Sequence, residues 1–312
     1  MEKKGKVAII GAGLIGLGWA RRCLKSGREV AIWDPKSDRE NIEGALSLSS
    51  WTLHDSLGDA VEGAVFVQES APERIELKHQ LYADLAPWIG DDVVVASSTS
   101  TFMPSDLQKG VNIAGRLLVG HPFNPPDVLP LVEIVPGPAT DPDAIAVASN
   151  FYASLGQRPI VLHRERPGHL ANRLQAAVLR EAFDAVASGQ ASVRDVDIAI
   201  TSSLGPRWAI QGPFASIHLN GGVGGIAHYL DHLGPAFEAL WRDATIPTVD
   251  SALRLKLIEA ARTLISTENY EAAVNIRNQA LLAVLSTAAR FDFEDRDRVS
   301  EPPSSDRAAH DA

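Results

Sequence analysis

One histidine and one glutamate have the residue types that general-base catalysis needs. His121 follows the apolar run at 117–119, and Glu133 lies inside a second apolar run at 131–135. An acid among Leu, Val and Ile needs a polar partner. If His121 is that partner, the carboxylate fixes the ring tautomer and leaves the other ring nitrogen free to take a proton from a hydroxyl group. The two residues alone also allow a structural histidine that bonds to the backbone and an acid at a sheet edge.

Further polar side chains occur where predicted elements begin or end. Ser100 lies in the Ser/Thr run at 97–101, which follows the apolar residues 93–95. Ligands of open α/β sheets bind at such carboxyl ends of strands. Asn172 begins a long predicted helix, and Arg207 carries a guanidinium that is able to clamp a carboxylate. Taken alone, Ser100 equally fits a loop hydroxyl, Asn172 a helix cap, and Arg207 a surface or helix-packing arginine.

A glycine motif near the start of the chain predicts a dinucleotide site. Gly11, Gly13 and Gly16 have the spacing G-x-G-x-x-G and come directly after the apolar residues 7–10. In this motif the first glycine allows a tight turn, the second lets the backbone approach a pyrophosphate, and the third lets the helix pack on the strand. The alternative is a glycine-rich turn in a domain that binds no nucleotide.

The residues next to the glycines define the cofactor further. Leu14 and Ile15 begin the predicted helix, where unpaired N–H groups and the helix dipole favour a pyrophosphate. Asp34 closes the next apolar run, about 20 residues on, as the fingerprint requires. Its carboxylate would accept hydrogen bonds from the adenosine ribose and repel a 2′-phosphate. The predicted cofactor is therefore NAD rather than NADP.

The hydrophobic pattern predicts the elements that position these residues. Up to about residue 163, short apolar runs alternate with helical patterns, and beyond residues 166–168 the periodicity is helical. We predict an α/β fold, with a Rossmann-type doubly wound parallel sheet at 1–163 followed by an all-α domain at 167–290. The tail at 291–312 is poor in large apolar residues, and we expect it to be disordered. Strands are predicted near 6–10, 29–33, 64–68, 93–97, 116–121, 130–135 and 158–162, and helices near 14–26, 75–85, 143–155, 170–189, 192–203, 206–218, 224–240, 250–266 and 269–290.

Composition excludes several kinds of partner. The formal net charge of −10 argues against non-specific binding to nucleic acid or to anionic membranes. Cys23 is the single cysteine, so no intrachain disulfide is possible, and we expect a buried side chain inside the first helix. The absence of a signal peptide and of a long apolar run favours the cytoplasm. His228 and His232 lack a third ligand, so no metal site is predicted.

Several motifs together resemble the L-3-hydroxyacyl-CoA dehydrogenase superfamily. They are Gly-His-Pro-Phe-Asn-Pro at 120–125, Leu-Val-Glu at 131–133, the Ser/Thr run at 97–101 and Asn-Arg-Leu at 172–174. Their order and spacing agree with the family from residue 6 to about residue 240. The resemblance implies NAD-dependent oxidation of a 3-hydroxyl group, or the reverse reduction. It also implies a homodimer formed through the helical domain.

The resemblance assigns the catalytic roles residue by residue. It implies that His121 is the catalytic base and that Glu133 is its partner. It further implies that Ser100 and Asn172 bind the substrate and hydrogen-bond the reacting oxygen, which would polarise the carbonyl in the reductive direction.

The resemblance implies three more contacts. Glu73 matches a residue near the nicotinamide, and Lys78 matches its helical companion, so both are assigned to cofactor binding. Asn124 belongs to the histidine loop and is assigned to substrate binding. A solvated first helical turn remains open for Glu73 and Lys78, and a purely structural role in the turn remains open for Asn124.

Three segments favour one branch of the family. Residues 68–73, 121–126 and 205–209 are closer to the λ-crystallin/L-gulonate 3-dehydrogenase and L-carnitine dehydrogenase branch, whose members oxidise free, polar 3-hydroxy acids. The family's helical hairpin, which contacts CoA in the acyl-CoA enzymes, does not fit into the short segment between Asp34 and Val65. Its loss would also leave the adenosine side of the cofactor site more open.

The sequence therefore predicts NAD-dependent oxidation of a small free 3-hydroxy acid at C3. Carnitine, gulonate, another sugar acid and 3-hydroxybutyrate remain open as the acid. An L-3-hydroxyacyl-CoA dehydrogenase acting on a CoA thioester is the first alternative. A non-catalytic, NAD-binding or crystallin-like structural protein is the second.

Overall fold

The computed structural model describes residues 5–37, 39–46, 50–265 and 267–290. The tail at 291–312, predicted to be disordered, lies outside the described residues. The chain divides into two compact units between Gln175 and Ala176. This division falls inside one long helix.

An eight-stranded sheet forms the centre of the first unit. The strands are β1 (Val7–Ile10), β2 (Val30–Trp33), β3 (Trp51–Leu53), β4 (Phe66–Glu69), β5 (Val94–Ser97), β6 (Leu117–Pro122), β7 (Leu131–Pro136) and β8 (Arg158–Val161). Their order across the sheet is β3-β2-β1-β4-β5-β6-β7-β8. The strands β1 to β6 are parallel, whereas β7 runs antiparallel to β6 and β8 is parallel to β7.

The reversal at β7 follows from the length of its connection. A parallel pair needs a crossover of a dozen or more residues, whereas the β6–β7 connection consists only of residues 123–130. The chain therefore turns back beside β6. This pairing puts His121 directly opposite Glu133.

Both faces of the sheet are buried, as the strand sequences require. Side chains alternate along a strand, so Val7 and Ile9 of β1 pack into one core while Ala8 and Ile10 pack into the other. Helices cover both faces. They are α1 (Leu14–Lys25), α2 (Arg39–Ala45), α3 (Leu57–Val61), α4 (Ile75–Leu85), α5 (Pro104–Leu107) and α6 (Pro142–Ser154). Cys23 is buried in α1, where burial raises the pKa of its thiol to about 12.

The segment between β2 and β4 differs from the predicted pattern. The structure forms the edge strand β3 there, which the sequence did not predict because only three residues, Trp51–Leu53, carry it. The described residues of this segment otherwise form only the short helices α2 and α3. They contain no helical hairpin, in agreement with the length argument.

The second unit is helical. Its elements are α7 (Ala171–Ser188, shared with the first unit), α8 (Val193–Ala199), α9 (Gly205–Ile210), α10 (Pro213–Asn220), α11 (Gly225–Asp243), α12 (Ser251–Leu264) and α13 (Tyr270–Ala289). A π-helical turn, Ile200–Leu204, joins α8 to α9. The single helix predicted at 206–218 is wrong, because Gly212 caps a new helix whose first residue is Pro213.

The predicted fold class is confirmed: a mostly parallel Rossmann-type sheet with helices on both faces precedes an all-α region. Among the described residues, no helix has the length and apolar character needed to span a bilayer.

Candidate active site

The glycine loop lies between β1 and α1, and two of its glycines are required by the fold. Gly11 has a φ of 96°, and a Cβ atom there would lie 2.6 Å from the carbonyl oxygen of Ser70. A Cβ atom on Gly16 would clash with the carbonyl oxygen of Gly11. A Cβ atom on Gly13, by contrast, would meet nothing within 4 Å. The absence of a side chain at Gly13 therefore keeps open a space that the fold itself does not fill.

The start of α1 borders this space. The first N–H groups of an α-helix have no partner inside the helix. The N-cap residue of α1 is Gly13, which has no side chain to accept a hydrogen bond from them. Leu14 is 66% exposed at the first helical position, while Ile15 is partly buried against the core. Unpaired N–H groups, the positive end of the helix dipole and an open approach fit a pyrophosphate.

Asp34 lies at the end of β2 and also supports the loop. Its Oδ2 accepts a hydrogen bond from Ala12 N at 2.7 Å, and its Oδ1 accepts one from Lys36 N at 2.8 Å. A carboxylate has about four acceptor positions, so capacity remains for the hydroxyl groups of a ribose. Together with the loop, this residue set fits the predicted NAD.

The sheet register aligns the chemical groups along one edge. Ile10 pairs with Glu69, Glu69 with Ser97, and Ser97 with Val119. The carboxyl ends of β1, β4, β5 and β6 therefore lie side by side, which is where open α/β sheets bind their ligands.

His121 and Glu133 form a buried hydrogen-bonded pair at this edge. The distance from His121 Nδ1 to Glu133 Oε2 is 2.8 Å, and their exposed fractions are 6% and 0%. Because Nδ1 faces the carboxylate, it carries the proton in the neutral ring, and Nε2 is left as the basic nitrogen. This is the tautomer that a general base at Nε2 requires.

The other oxygen of Glu133 holds the start of α7. Oε1 accepts hydrogen bonds from Leu170 N at 2.8 Å and from Ala171 N at 2.9 Å. Burial would raise the pKa of Glu133, but the hydrogen bonds from His121 and from the two backbone N–H groups outweigh it, and the pKa is lowered. Asn172, half-buried, follows directly on this anchored segment. One carboxylate thus positions both the ring of His121 and the backbone that carries Asn172.

The backbone of Ser100 is held in place by Glu73. Glu73 Oε1 accepts hydrogen bonds from Ser100 N at 3.0 Å and from Thr99 Oγ1 at 2.7 Å. Thr99 Oγ1 in turn accepts from the N–H groups of Thr101 and Phe102. The loop that carries Ser100 is therefore fixed by side chains rather than by a strand.

Lys78 is buried beneath Glu73. It is 1% exposed, and its Nζ lies 2.6 Å from Glu69 Oε1, 3.5 Å from Glu73 Oε2 and 3.3 Å from the carbonyl oxygen of Ala71. The contacts to Glu69 and to Ala71 are hydrogen bonds, and the contact to Glu73 is an ion pair. Lys78 thus acts on Glu73, and its assignment to direct cofactor contact stays a prediction.

Glu69 was not singled out by the sequence, yet it is the centre of this network. Besides Lys78, its carboxylate accepts hydrogen bonds from Ala71 N at 2.7 Å, Ser97 Oγ at 2.6 Å and Tyr82 Oη at 2.7 Å. Burial, followed by the charge of Glu69, raises the pKa of Tyr82 well above its usual value. An acid at the end of a buried strand was the available signal.

His169 is the second residue that the sequence did not single out for the site. Its ring lies 5.1 Å from that of His121, and its Nε2 is 3.1 Å from the carbonyl oxygen of Thr99. It is 3% exposed and has a φ of 51°, a left-handed backbone conformation that is uncommon outside glycine. Its position next to Gly168 and before Asn172 was the only hint in the sequence.

Two predicted substrate residues are not joined to this cluster. Asn124 is exposed in the β6–β7 connection, next to a cis peptide bond to Pro125. Arg207 is exposed on α9, in the second compact unit. Both assignments stay predictions.

The assembled groups can perform alcohol–ketone chemistry. The hydrogen bond between His121 and Glu133 fixes the tautomer that a base needs, and the anchored segments carry Ser100 and Asn172, whose side chains contain hydrogen-bond donors. The glycine loop and Asp34 lie at the same edge of the same sheet and fit a dinucleotide.

Family models match most of the chain. The model described as 3-hydroxyacyl-CoA dehydrogenase, NAD binding domain, matches residues 6–49 and 39–166. The model described as 3-hydroxyacyl-CoA dehydrogenase, C-terminal domain, matches residues 168–249.

Individual relatives agree with the family models. The chain is 40% identical to an L-carnitine dehydrogenase of Nocardiopsis dassonvillei over 89% of this chain and 90% of that protein. It is 41% identical to a 3-hydroxyacyl-CoA dehydrogenase of Gibberella moniliformis over 76% and 79%. The solved structure of 5-formyl-3-hydroxy-2-methylpyridine 4-carboxylic acid 5-dehydrogenase, an NAD⁺-dependent dismutase, is similar with a TM-score of 0.80 and 29% identity, over 91% of this chain and 98% of that one. The chain therefore belongs to the 3-hydroxyacyl-CoA dehydrogenase family, and its sheet is the family's NAD-binding domain.

Proposed function

We propose that the protein catalyses NAD-dependent oxidation of the 3-hydroxyl group of a small free 3-hydroxy acid, together with the reverse reduction. The observation that carries the proposal is the buried hydrogen bond of 2.8 Å between His121 Nδ1 and Glu133 Oε2 at the ligand-binding edge of an NAD-binding sheet. This pair provides a positioned base within the NAD-binding domain, which is what hydride transfer from an alcohol requires.

In the proposed reaction His121 Nε2 takes the hydroxyl proton as the C3–H bond breaks. NAD, when bound, accepts the hydride from C3. Glu133 stabilises the imidazolium that forms, because its carboxylate faces Nδ1–H. Ser100 and Asn172 hydrogen-bond the reacting oxygen, which becomes the ketone oxygen of the product. Such a positioned base contributes about 10²–10⁴ in rate.

Two observations support a free acid over a CoA thioester. The first relatives found are named L-carnitine dehydrogenase. In addition, the described residues between β2 and β4 form only α2, β3 and α3, without the hairpin that the thioester enzymes place against CoA. Because the Gibberella relative is named 3-hydroxyacyl-CoA dehydrogenase, the test includes a CoA thioester as the competing substrate.

The test follows NADH absorbance with a panel of acids and one thioester. L-Carnitine, L-gulonate and racemic 3-hydroxybutyrate with NAD are compared with acetoacetyl-CoA and NADH. We expect saturable turnover of at least one free acid and a far lower kcat/KM for the thioester. Saturation with micromolar acetoacetyl-CoA would overturn the free-acid proposal. Absence of turnover with every compound would favour the non-catalytic alternative.

A pair of matched variants compares the proposed base, His121, with an exposed histidine, His163. His121→Asn should lower kcat by about 10²–10⁴, because it removes the base. His163→Asn, at an exposed histidine, should leave kcat within twofold of the wild type. An unchanged kcat in His121→Asn would exclude the proposed mechanism.

We further propose a cytoplasmic homodimer that associates through the helical domain. Many large apolar side chains of that part are exposed in the single chain, including Phe214 at 76% and Trp241 at 69%. Light scattering after gel filtration tests the mass of the assembly. Domain limits of 1–163 and 167–290, and a carboxylate contact for Arg207, also remain proposals. Limited proteolysis and the KM of an Arg207→Ala variant test these last two.

A further inference from the structure

The ring of His169 has one bonded and one unpaired nitrogen. Nε2 lies 3.1 Å from the carbonyl oxygen of Thr99, which only accepts, so Nε2 carries the proton of this hydrogen bond. Nδ1 is buried and has no hydrogen-bond partner among the described residues. Burial lowers the pKa of His169, so the ring is neutral at neutral pH and Nδ1 presents a lone pair. A buried acceptor without a donor is costly in a folded protein.

The position of this acceptor is fixed on both sides. Thr99, which holds Nε2, precedes Ser100 and is bonded to Glu73. On the other side, the backbone N–H groups of the next two residues, Leu170 and Ala171, are bonded to Glu133. His169 is thus tied into both segments that present the substrate-binding residues.

The ring of His169 also lies beside the ring of His121. The ring centroids of His169 and His121 are 5.1 Å apart, with an interplanar angle of 50°. A substrate whose hydroxyl group reaches His121 therefore brings its neighbouring atoms next to the ring of His169.

We propose that Nδ1 of His169 accepts a hydrogen bond from a second hydroxyl group of the substrate, on a carbon next to the reacting one. This inference rests on the proposed function. The reacting hydroxyl cannot be the donor, because its single proton is directed to His121. The substrate class is thereby narrowed to 3-hydroxy acids with a vicinal hydroxyl group, as in sugar acids. Carnitine does not satisfy the acceptor, since its reacting hydroxyl is its only hydrogen-bond donor at neutral pH.

The first test compares substrates that differ by one hydroxyl group. The kcat/KM of the wild-type protein is measured for racemic 3-hydroxybutyrate, 3,4-dihydroxybutyrate and 2,3-dihydroxybutyrate with saturating NAD. We expect at least one dihydroxy acid to exceed 3-hydroxybutyrate by about tenfold or more, since a buried acceptor left unpaired discriminates at that level.

The second test separates the two nitrogens of His169. In His169→Gln, the side-chain amide keeps an N–H for the carbonyl of Thr99 but has no acceptor at the position of Nδ1. In His169→Asn, an amide oxygen takes the place of Nδ1, the donor to Thr99 is lost, and Asn tolerates the positive φ. We expect His169→Gln to reduce the preference for the dihydroxy acid to about threefold or less, and His169→Asn to retain most of it. A purely structural role through Thr99 predicts the opposite order.

The outcomes distinguish this inference from the proposed function. If the wild-type protein oxidises 3-hydroxybutyrate or carnitine at least as well as both dihydroxy acids, the second-hydroxyl inference is wrong and the proposed function stands. A water molecule on Nδ1 would give this result. If no acid is oxidised, the proposed function itself fails. The ratio measured with the wild-type protein tests the inference even where circular dichroism shows that a variant does not fold.

Discussion

Replacement of Glu133 by glutamine should move the ring proton of His121 from Nδ1 to Nε2. The carboxylate accepts three hydrogen bonds, from Leu170 N and Ala171 N on Oε1 and from His121 Nδ1 on Oε2. A glutamine has one acceptor oxygen and one NH₂ group. If the NH₂ group faced Leu170 and Ala171, two buried backbone donors would lose their acceptor. The amide oxygen therefore stays on the backbone side, and the NH₂ group faces the ring.

This orientation has a large effect on catalysis and a small one on folding. The NH₂ group donates to Nδ1, so the ring proton moves to Nε2 and the basic nitrogen disappears from the substrate side. The lost general base corresponds to a fall in kcat of about 10²–10⁴, or about 2.7–5.4 kcal/mol of barrier at 1.36 kcal/mol per tenfold. The number of hydrogen bonds is unchanged, so the free energy of unfolding should fall by only about 1 kcal/mol.

The assay measures kcat with saturating NAD and the best acid of the panel. Glu43→Gln is the matched control, because the side chain of Glu43 is 56% exposed and far along the chain from the pair. The double variant of His121→Asn with Glu133→Gln should be no slower than His121→Asn alone, since both changes remove the same base. A fall in kcat of less than tenfold for Glu133→Gln, in a variant that folds, would refute the tautomer argument.

Three further predictions follow from the same contacts. Gly13→Ala should raise the dissociation constant for NAD by about tenfold or more and leave the melting temperature unchanged. Gly16→Ala should lower the free energy of unfolding by about 1–3 kcal/mol, because only the Cβ atom at position 16 clashes with backbone. Equal melting temperatures of the two variants would contradict this prediction. Lys78→Met should lower the free energy of unfolding, measured in urea, by about 3–5 kcal/mol, because it leaves the buried carboxylate of Glu69 without its ammonium partner. Lys109→Met removes an exposed ion pair and is the control. An equal loss of unfolding free energy in the two variants would argue against the buried network. The pKa of Glu133 is lowered from 4.5 in the folded chain, so its contribution to stability is present above about pH 4.5 and is lost as the pH falls through the lower folded value. In urea unfolding at pH 3.5–6, Glu133→Gln should therefore reduce the dependence of the unfolding free energy on pH. An unchanged slope would count against this prediction.

Local patterns predicted the fold class and the contact between the two central residues. The alternation of apolar runs and helices up to residue 163 predicted a parallel sheet, and Glu133, an acid inside an apolar run, required a polar partner, for which His121 was the candidate. The antiparallel pairing of β6 with β7 was not predicted, although the connection at 123–130 is too short for a crossover. The roles of His121 and Glu133 in catalysis stay predictions.

The unpredicted parts depend on contacts distant in sequence. The pair of Glu69 and Lys78 is joined through packing of α4 on the sheet, and nothing in the helix itself distinguishes Lys78 from a solvated lysine. His169 enters the cluster only because Thr99 and Glu133 hold the segment around it. β3 is too short to give a period, and the helical period continues across the break at Gly212 and Pro213, although Pro is favoured at a helix start.

The two backbone contacts of Asp34 limit how the cofactor preference can be redesigned. An exchange of NAD for NADP calls for removal of the acid and addition of a cation for the 2′-phosphate. Removal of the carboxylate of Asp34 also removes the acceptor for Ala12 N, and with it a support of the glycine loop. A redesign that changes only the charge at Asp34 would weaken the support of the glycine loop, which faces the pyrophosphate, while it adapts the ribose site to a 2′-phosphate. An effective NADP variant needs a replacement acceptor for Ala12 before any arginine is added.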